Sequence, residues 1–246
     1  MVKIFVILTI LVNFGWGGTL RVATSANVSY AMDEILDEFM RVHPEIKVQK
    51  IVSSSGKLTA QIIHKAPFDV FLSADMNYPL KLYKMGLSSE PKVYAKGLLA
   101  IFSKSLKSFK DSLGLILLKD SSIKKIAVAN PKLAPYGRAT LQALKNAKLY
   151  PKIEKKIIFA DSISQTLSYA LRVCDAGIVA KSLLLSPKMK RFQKEKDWIE
   201  VDPSLYEPIA QGAVIIKESK DSREFFEFIF SKRAKSILQK YGYLVD

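Results

Sequence analysis

Short apolar runs alternate with amphipathic segments along this chain from Leu20 nearly to its end. The runs are Leu20–Thr24, Ile46–Val52, Phe68–Ser73, Leu98–Phe102, Ile126–Ala129, Ile157–Ala160, Ile178–Ala180 and Ala213–Ile216. Each has the length and flanking turn residues of a buried strand; Phe68–Ser73, for example, lies between Pro67 and Asp75. Between them, Met32, Ile35, Leu36, Phe39 and Met40 keep the 3–4 spacing of one helix face. They predict a helix over Ser29–Val42 that Pro44 stops. Lys57–His64, Arg138–Asn146, Ser164–Arg172, Ser222–Phe230 and Ala234–Lys240 are helical by the same reasoning. Alternation of this kind predicts an α/β protein whose strands are mainly parallel. The 246 residues exceed the size of a typical single core, yet no linker or internal repeat divides them. Two lobes joined by a chain that crosses twice satisfy both facts. The expected division is 18–94 plus 208–246 for lobe 1 and 95–207 for lobe 2, with hinge crossings near Tyr94 and Pro208.

Composition removes several classes of chemistry. The single cysteine, Cys174, excludes a disulfide framework and any multi-cysteine metal centre, and reads as a small buried residue. The two histidines, His43 and His64, are too far apart in sequence to form a local ligand pair. Asp69 and Asp75 flank a strand, but with no nucleophile or base nearby they read as capping and turn residues, so no catalytic set is expected. A formal charge of +15 favours anionic partners. The lysines are scattered, and even Lys188-Met189-Lys190-Arg191 is a short solvated run, which argues against nucleic acid.

The N-terminus sets the compartment. Lys3 precedes the charge-free stretch Ile4–Phe14, and Gly15-Trp16-Gly17 supplies small residues for cleavage. A membrane span needs about 20 apolar residues, so residues 1–17 are read as a secretory signal peptide. With no cysteine at the cleavage point, a lipid anchor is not expected, and the mature protein is placed in the periplasm.

Three strand-to-helix loops carry small or hydroxyl residues: Thr24-Ser25-Ala26-Asn27, Ser53-Ser54-Ser55-Gly56 and Ala134-Pro135-Tyr136-Gly137. In open α/β sheets, ligands sit outside the carboxyl ends of strands, where helix N-termini offer free N–H groups. Side chains of Asn27, Ser55 and Tyr136 add donors, and none of the three loops contributes a carboxylate. Such a cradle suits a fully deprotonated oxyanion, which only accepts, better than protonated phosphate, which also donates. Each loop taken singly is more often an ordinary cap or turn than a ligand site. Ser55-Gly56-Lys57 is not a nucleotide-hydrolysing P-loop, because Ile51 stands at the earlier glycine place and Leu58 follows the lysine.

Five strings in order resemble the periplasmic molybdate-binding proteins of ABC importers. They are Ala31-Met32-Asp33-Glu34-Ile35, Ser53-Ser54-Ser55-Gly56-Lys57-Leu58, Asp69-Val70-Phe71-Leu72-Ser73-Ala74-Asp75, Asn130-Pro131-Lys132-Leu133-Ala134-Pro135-Tyr136-Gly137 and Ala176-Gly177-Ile178-Val179. The resemblance runs from about Leu20 to Tyr243. It implies the two-lobed type II periplasmic binding fold, with molybdate or tungstate in the cleft, no cofactor, and delivery to a permease and its ATPase. The protein is expected to work as a monomer. The family's contacts fall on three loops, at Ala26-Asn27, Ser55 and Tyr136, with a fourth contact, a backbone N–H, at Ile163. The ligand tyrosine that some members carry after the Gly-Ile-Val strand is Ala180 here, so the Tyr136 hydroxyl is the expected replacement. Arg138 is read as an exposed helix-start residue, with pairing to the anion as the alternative. Tyr241 and Tyr243 are expected to pack on the first lobe. Sulfate, phosphate or ferric ion are the alternative cargoes; no adjacent tyrosine pair supports iron. A regulator's ligand-sensing domain is disfavoured by the leader and by the lack of a DNA-binding segment. Mass measurement of the exported protein is expected to find an N-terminus at Gly18 or Thr19, and only full-length cytoplasmic protein would refute this.

Overall fold

The computed structural model describes residues 18–104 and 111–246; residues 1–17, read from sequence as a leader, lie outside the described residues. Among the described residues, ten strands form two five-stranded sheets. In the first, β1 (Leu20–Ser25) pairs in parallel with β2 (Val48–Ser53) and β3 (Val70–Leu72). There β10 (Ile209–Ile215) runs antiparallel to both β3 and the edge strand β4 (Lys92–Gly97). In the second, β6 (Ile126–Ala129) pairs in parallel with β7 (Ile157–Ala160) and β8 (Ala176–Ala180). There β5 (Leu99–Ser103) is antiparallel to both β8 and the edge strand β9 (Trp198–Glu200). Four strands of each sheet run in one direction, as expected, and one, β10 or β5, runs against them. β5 and β10 each follow a crossing between sheets and enter the new sheet against its parallel strands, so each sheet is mixed.

The chain changes sheet at Leu98, between β4 and β5, and again between Glu200 and Ile209. The central strands of lobe 1, β1, β3 and β10, are buried on both faces, and their alternation sorts side chains between two cores. Val22, Val70, Leu72, Ala213 and Ile215 pack with α1 (Ser29–Val42), α8 (Lys220–Ile229) and α9 (Lys232–Lys240). Ala23, Phe71 and Val214 point the other way, towards α2 (Ser55–Ile63) and α3 (Asn77–Lys84). α1 buries Met32, Ile35, Leu36 and Phe39. Tyr241 and Tyr243 join the same core. In lobe 2, α4 (Pro135–Asn146) and α6 (Ile163–Arg172) cover the sheet, and Cys174 is buried beside them. α5 (Tyr150–Ile153) and α7 (Lys181–Leu184) are single turns. Among the described residues no helix is long and apolar enough to cross a membrane.

Strand register sets the height of the loops. Ser25 lies level with Ser53 at the ends of β1 and β2, so the following turns start side by side. Ala129 and Ala160 are level at the ends of β6 and β7, which does the same for the loops into α4 and α6. That alignment requires α4 to start against the backbone of β6. A Cβ on Gly137 would lie 2.1 Å from the Ala129 carbonyl oxygen, so only glycine fits. Gly137→Ala is therefore expected to destabilise by about 1–3 kcal/mol, as overpacking does, lowering Tm by about 2–4 °C for each kcal/mol. Unchanged thermal melting would show that the helix start can move.

Candidate oxyanion site

Four helix starts meet where the lobes face each other. After β1, a 3-10 turn Ala26–Val28 leads into α1; α2 follows β2, α4 follows β6, and α6 follows β7. The first N–H groups of a helix have no intrahelical acceptor, so each start presents free donors with the positive end of the helix dipole. The five sequence-predicted positions are all buried here: Ala26, Asn27, Ser55, Tyr136 and Ile163 are 1–3% exposed. Ala26 and Ala74 of lobe 1 pack in one apolar cluster with Ala134, Tyr136 and Ile163 of lobe 2.

Hydrogen bonds join the lobes around these starts. Gly56 N–H donates to the Leu133 carbonyl at 3.0 Å, and Ser164 Oγ donates to the Ala26 carbonyl at 3.0 Å. At the rim, Tyr78 donates to the Lys132 carbonyl at 3.2 Å and Lys57 pairs with Asp161 at 2.7 Å. Arg138 pairs with Asp75 and lies over the Tyr78 ring, 5.2 Å from its centroid. This ion pair occupies the guanidinium, so Arg138 is spent on Asp75 and not on an anion. Asp75 also accepts from Tyr78 N–H, the capping role read from sequence, and Asp69 accepts from Arg21 N–H.

The side chains have distinct tasks. Ser55 Oγ accepts from Ala74 N–H at 2.9 Å, which leaves its own proton to donate. Asn27 is turned the other way. Gln211 Nε2 donates to the carbonyls of Ala74 at 3.3 Å and Ile209 at 3.0 Å, so Gln211 Oε1 must face Asn27. The atom it meets, at 2.7 Å, is therefore the donor Nδ2 of Asn27, which also donates to Tyr243 at 2.8 Å. Both amide protons are spent on the protein, and position 27 offers the cleft its backbone N–H. The Tyr136 hydroxyl likewise sits in the hinge, 3.5 Å from Asn27 Nδ2 and against Gly97, where a Cβ would lie 2.0 Å from it. Burial, chiefly, and the neighbouring phenols Tyr243 and Tyr94 push the Tyr136 phenol well above its usual range, so it stays protonated. What Tyr136 offers the cleft is its N–H at the start of α4. Gln211, Tyr243, Ser182 and Ser164 were missed in the sequence. Gln211 alone had a signal, as a polar residue inside the apolar run Ile209–Ile215.

Among the described residues, the buried polar side chains are serines, threonines, Asn27, Gln211 and tyrosine phenols, and none is a carboxylate, ammonium or guanidinium. The cleft can thus wrap an anion in neutral dipoles, with no nucleophile–base pair at hand. Two α/β lobes that close over such a cradle define a ligand-binding protein of the two-lobed periplasmic type.

Comparison with known proteins agrees. Residues 20–244 match the family described as bacterial extracellular solute-binding protein, and the chain belongs to that family. It is 32% identical to the molybdate-binding protein ModA of Azotobacter vinelandii, over 91% of this chain and 89% of that one. It is also 32% identical to the Rhodobacter capsulatus ModA, over 78% and 75% of the two chains. The structure of the Azotobacter vinelandii periplasmic molybdate-binding protein superposes with a TM-score of 0.84 and 28% identity, covering 92% of this chain and 99% of that one. Membership in this family makes the chain an extracytoplasmic solute-binding protein rather than an enzyme.

The rim pair makes a pH-dependent prediction. Burial, above all, raises the Asp75 carboxyl, and Arg138 pulls it back down. Removing the guanidinium raises it further, and a raised carboxyl favours the closed fold below its pKa and disfavours it above. In the ligand-loaded protein, Arg138→Ala should lower Tm more at pH 7 than at pH 4. The expected cost is about 1 kcal/mol, because Arg138 is partly exposed. Equal losses at both pH values would show that the pair is not felt by Asp75.

Proposed function

We propose that this protein captures molybdate, or tungstate, outside the cytoplasm and delivers it to an ABC permease with its ATPase. The observation that carries the reading is the meeting of four helix starts, with their free N–H groups, in a cleft without a buried charge. The two ModA relatives, described as molybdate-binding, supply the cargo. In this reading the anion accepts from the N–H groups of Ala26, Asn27, Ser55, Tyr136 and Ile163 and from Ser55 Oγ. Charge-assisted bonds of this kind are about twice as strong as neutral ones. Sulfate is smaller and cannot reach every donor at once; protonated phosphate finds no carboxylate to take its proton. Ferric ion would need phenolates, and the phenols nearest the cleft are held protonated by burial. The protein is read as exported by its leader, monomeric, and hinged at its two crossings between sheets, expected near Tyr94 and Pro208 and lying at Leu98 and within 201–208.

Calorimetric titration of the mature protein with molybdate, tungstate, sulfate and phosphate tests the reading: the first two should bind and the last two weakly or not at all. Ser55→Ala should raise the molybdate Kd about 10- to 150-fold, the value of a hydrogen bond to a charged group. Tyr136→Phe should stay within about threefold, since its N–H remains. Strong sulfate binding would move the protein to another cargo, and a large loss in Tyr136→Phe would put the phenol on the anion.

A further inference from the structure

Asn27 closes a ring of hydrogen bonds on itself through both lobes. Its Nδ2 donates to the Tyr243 hydroxyl at 2.8 Å, Tyr243 donates to Ser182 Oγ at 3.1 Å, and Ser182 donates to the Asn27 carbonyl at 2.9 Å. Each hydroxyl accepts once and donates once, in a single direction, and such chains polarise one another. All three residues are buried, at 2%, 3% and 5% exposure for Asn27, Tyr243 and Ser182. They come from three places: the turn after β1, the C-terminal segment and the first turn of α7 in lobe 2. Gln211 orients the ring by holding the second amide proton.

The C-terminal segment is built into the hinge. Leu244 exchanges backbone bonds with Lys96 at 2.7 and 2.9 Å, two residues before the crossing at Leu98. Gly242 passes so close to α7 that a Cβ there would lie 2.7 Å from Leu185 Cδ1. Tyr243 therefore touches the parts of the molecule that must move when the lobes close. The neighbouring carbonyl, that of Ala26, accepts from Ser164 of lobe 2 and from Ser29. A trans peptide is planar, so holding the Ala26 carbonyl also holds the Asn27 N–H on its other side.

We propose that Ser182 and Tyr243 are positioning residues for the ligand loop. Through the ring they fix the Asn27 side chain and carbonyl, while Ser164 holds the Ala26 carbonyl on the other side of the residue, so the Asn27 N–H lies between two anchored peptides when lobe 2 has closed. The proposal rests on the oxyanion reading and adds to it a coupling between hinge closure and the geometry of one donor loop. Neither residue need touch the anion.

The test compares Ser182→Ala, Ser182→Thr, Tyr243→Phe and the double variant Ser182→Ala/Tyr243→Phe in the mature protein. Because the Ser182 bond crosses between lobes, Ser182→Ala should raise the molybdate Kd about tenfold through faster dissociation. Its ligand-free Tm should match wild type, and Ser182→Thr, which keeps the hydroxyl, should recover most of the affinity. Since either loss opens the same ring, the double variant should bind no more weakly than about the worse single variant. Wild-type affinity in Ser182→Ala, or losses that multiply in the double variant, would overturn the ring. A lower ligand-free Tm with unchanged Kd would make Ser182 merely structural and overturn it too. Failure of wild type to bind molybdate would instead refute the cargo. The ring is then read in the complex with whichever anion does bind, from amide exchange of residues 26–29, which Ser182→Ala should accelerate; unchanged exchange, or no anion bound at all, would refute it.

Discussion

An unpaired N–H at a helix start must find an acceptor, and in this protein four such starts are buried at one place. Two pairs of parallel strands bring them there, β1 with β2 and β6 with β7, each pair ending level. Burial makes the unmet donors costly and, by the same low dielectric, makes an anion placed among them strongly held. The division into two lobes follows from this need. A single sheet edge offers donors to one side of a tetrahedral ion, whereas two opposed edges surround it.

Closure then becomes a matter of polar detail near the hinge. Gly97 lets the Tyr136 ring lie against β4, and Gln211 fixes the Asn27 carboxamide in one orientation. The buried side chains there are amides, hydroxyls and phenols. Tyr94, Tyr136 and Tyr243 all have phenols raised by desolvation, so the hinge keeps its protons over the physiological range. A network of neutral groups holds geometry without placing a fixed charge beside the ligand.

Much of the architecture was legible because the core strands are plain apolar runs and α1 has one clear face. Ile126–Ala129 and Ile157–Ala160 were read to the residue. β4 was not, because Lys92 and Lys96 interrupt it and, as an edge strand, it is partly exposed. The antiparallel entry of β5 and β10 was hidden too, since local pattern does not encode the direction in which a returning strand pairs. At the site, loop composition and family resemblance named the positions. Side-chain direction was beyond reach: Asn27 meets Gln211 and Tyr243, 184 and 216 residues later. Asn27 and Tyr136 look like donors to a ligand in a one-dimensional reading, and only their distant partners show where those donors go.

Charge is divided between surface and site. The chain carries a formal +15, yet the rim charges nearest the cleft are paired, Arg138 with Asp75 and Lys57 with Asp161. Scattered surface lysines raise the local concentration of any anion and speed encounter, an effect that salt screens over about 8–10 Å. They do not distinguish one dianion from another. A bare ammonium in the cleft would not either, since it is a point charge that follows whatever anion arrives. Fixed dipoles with set directions reward only an anion whose oxygens fall where the N–H groups point, so selectivity has to come from the neutral part of the structure.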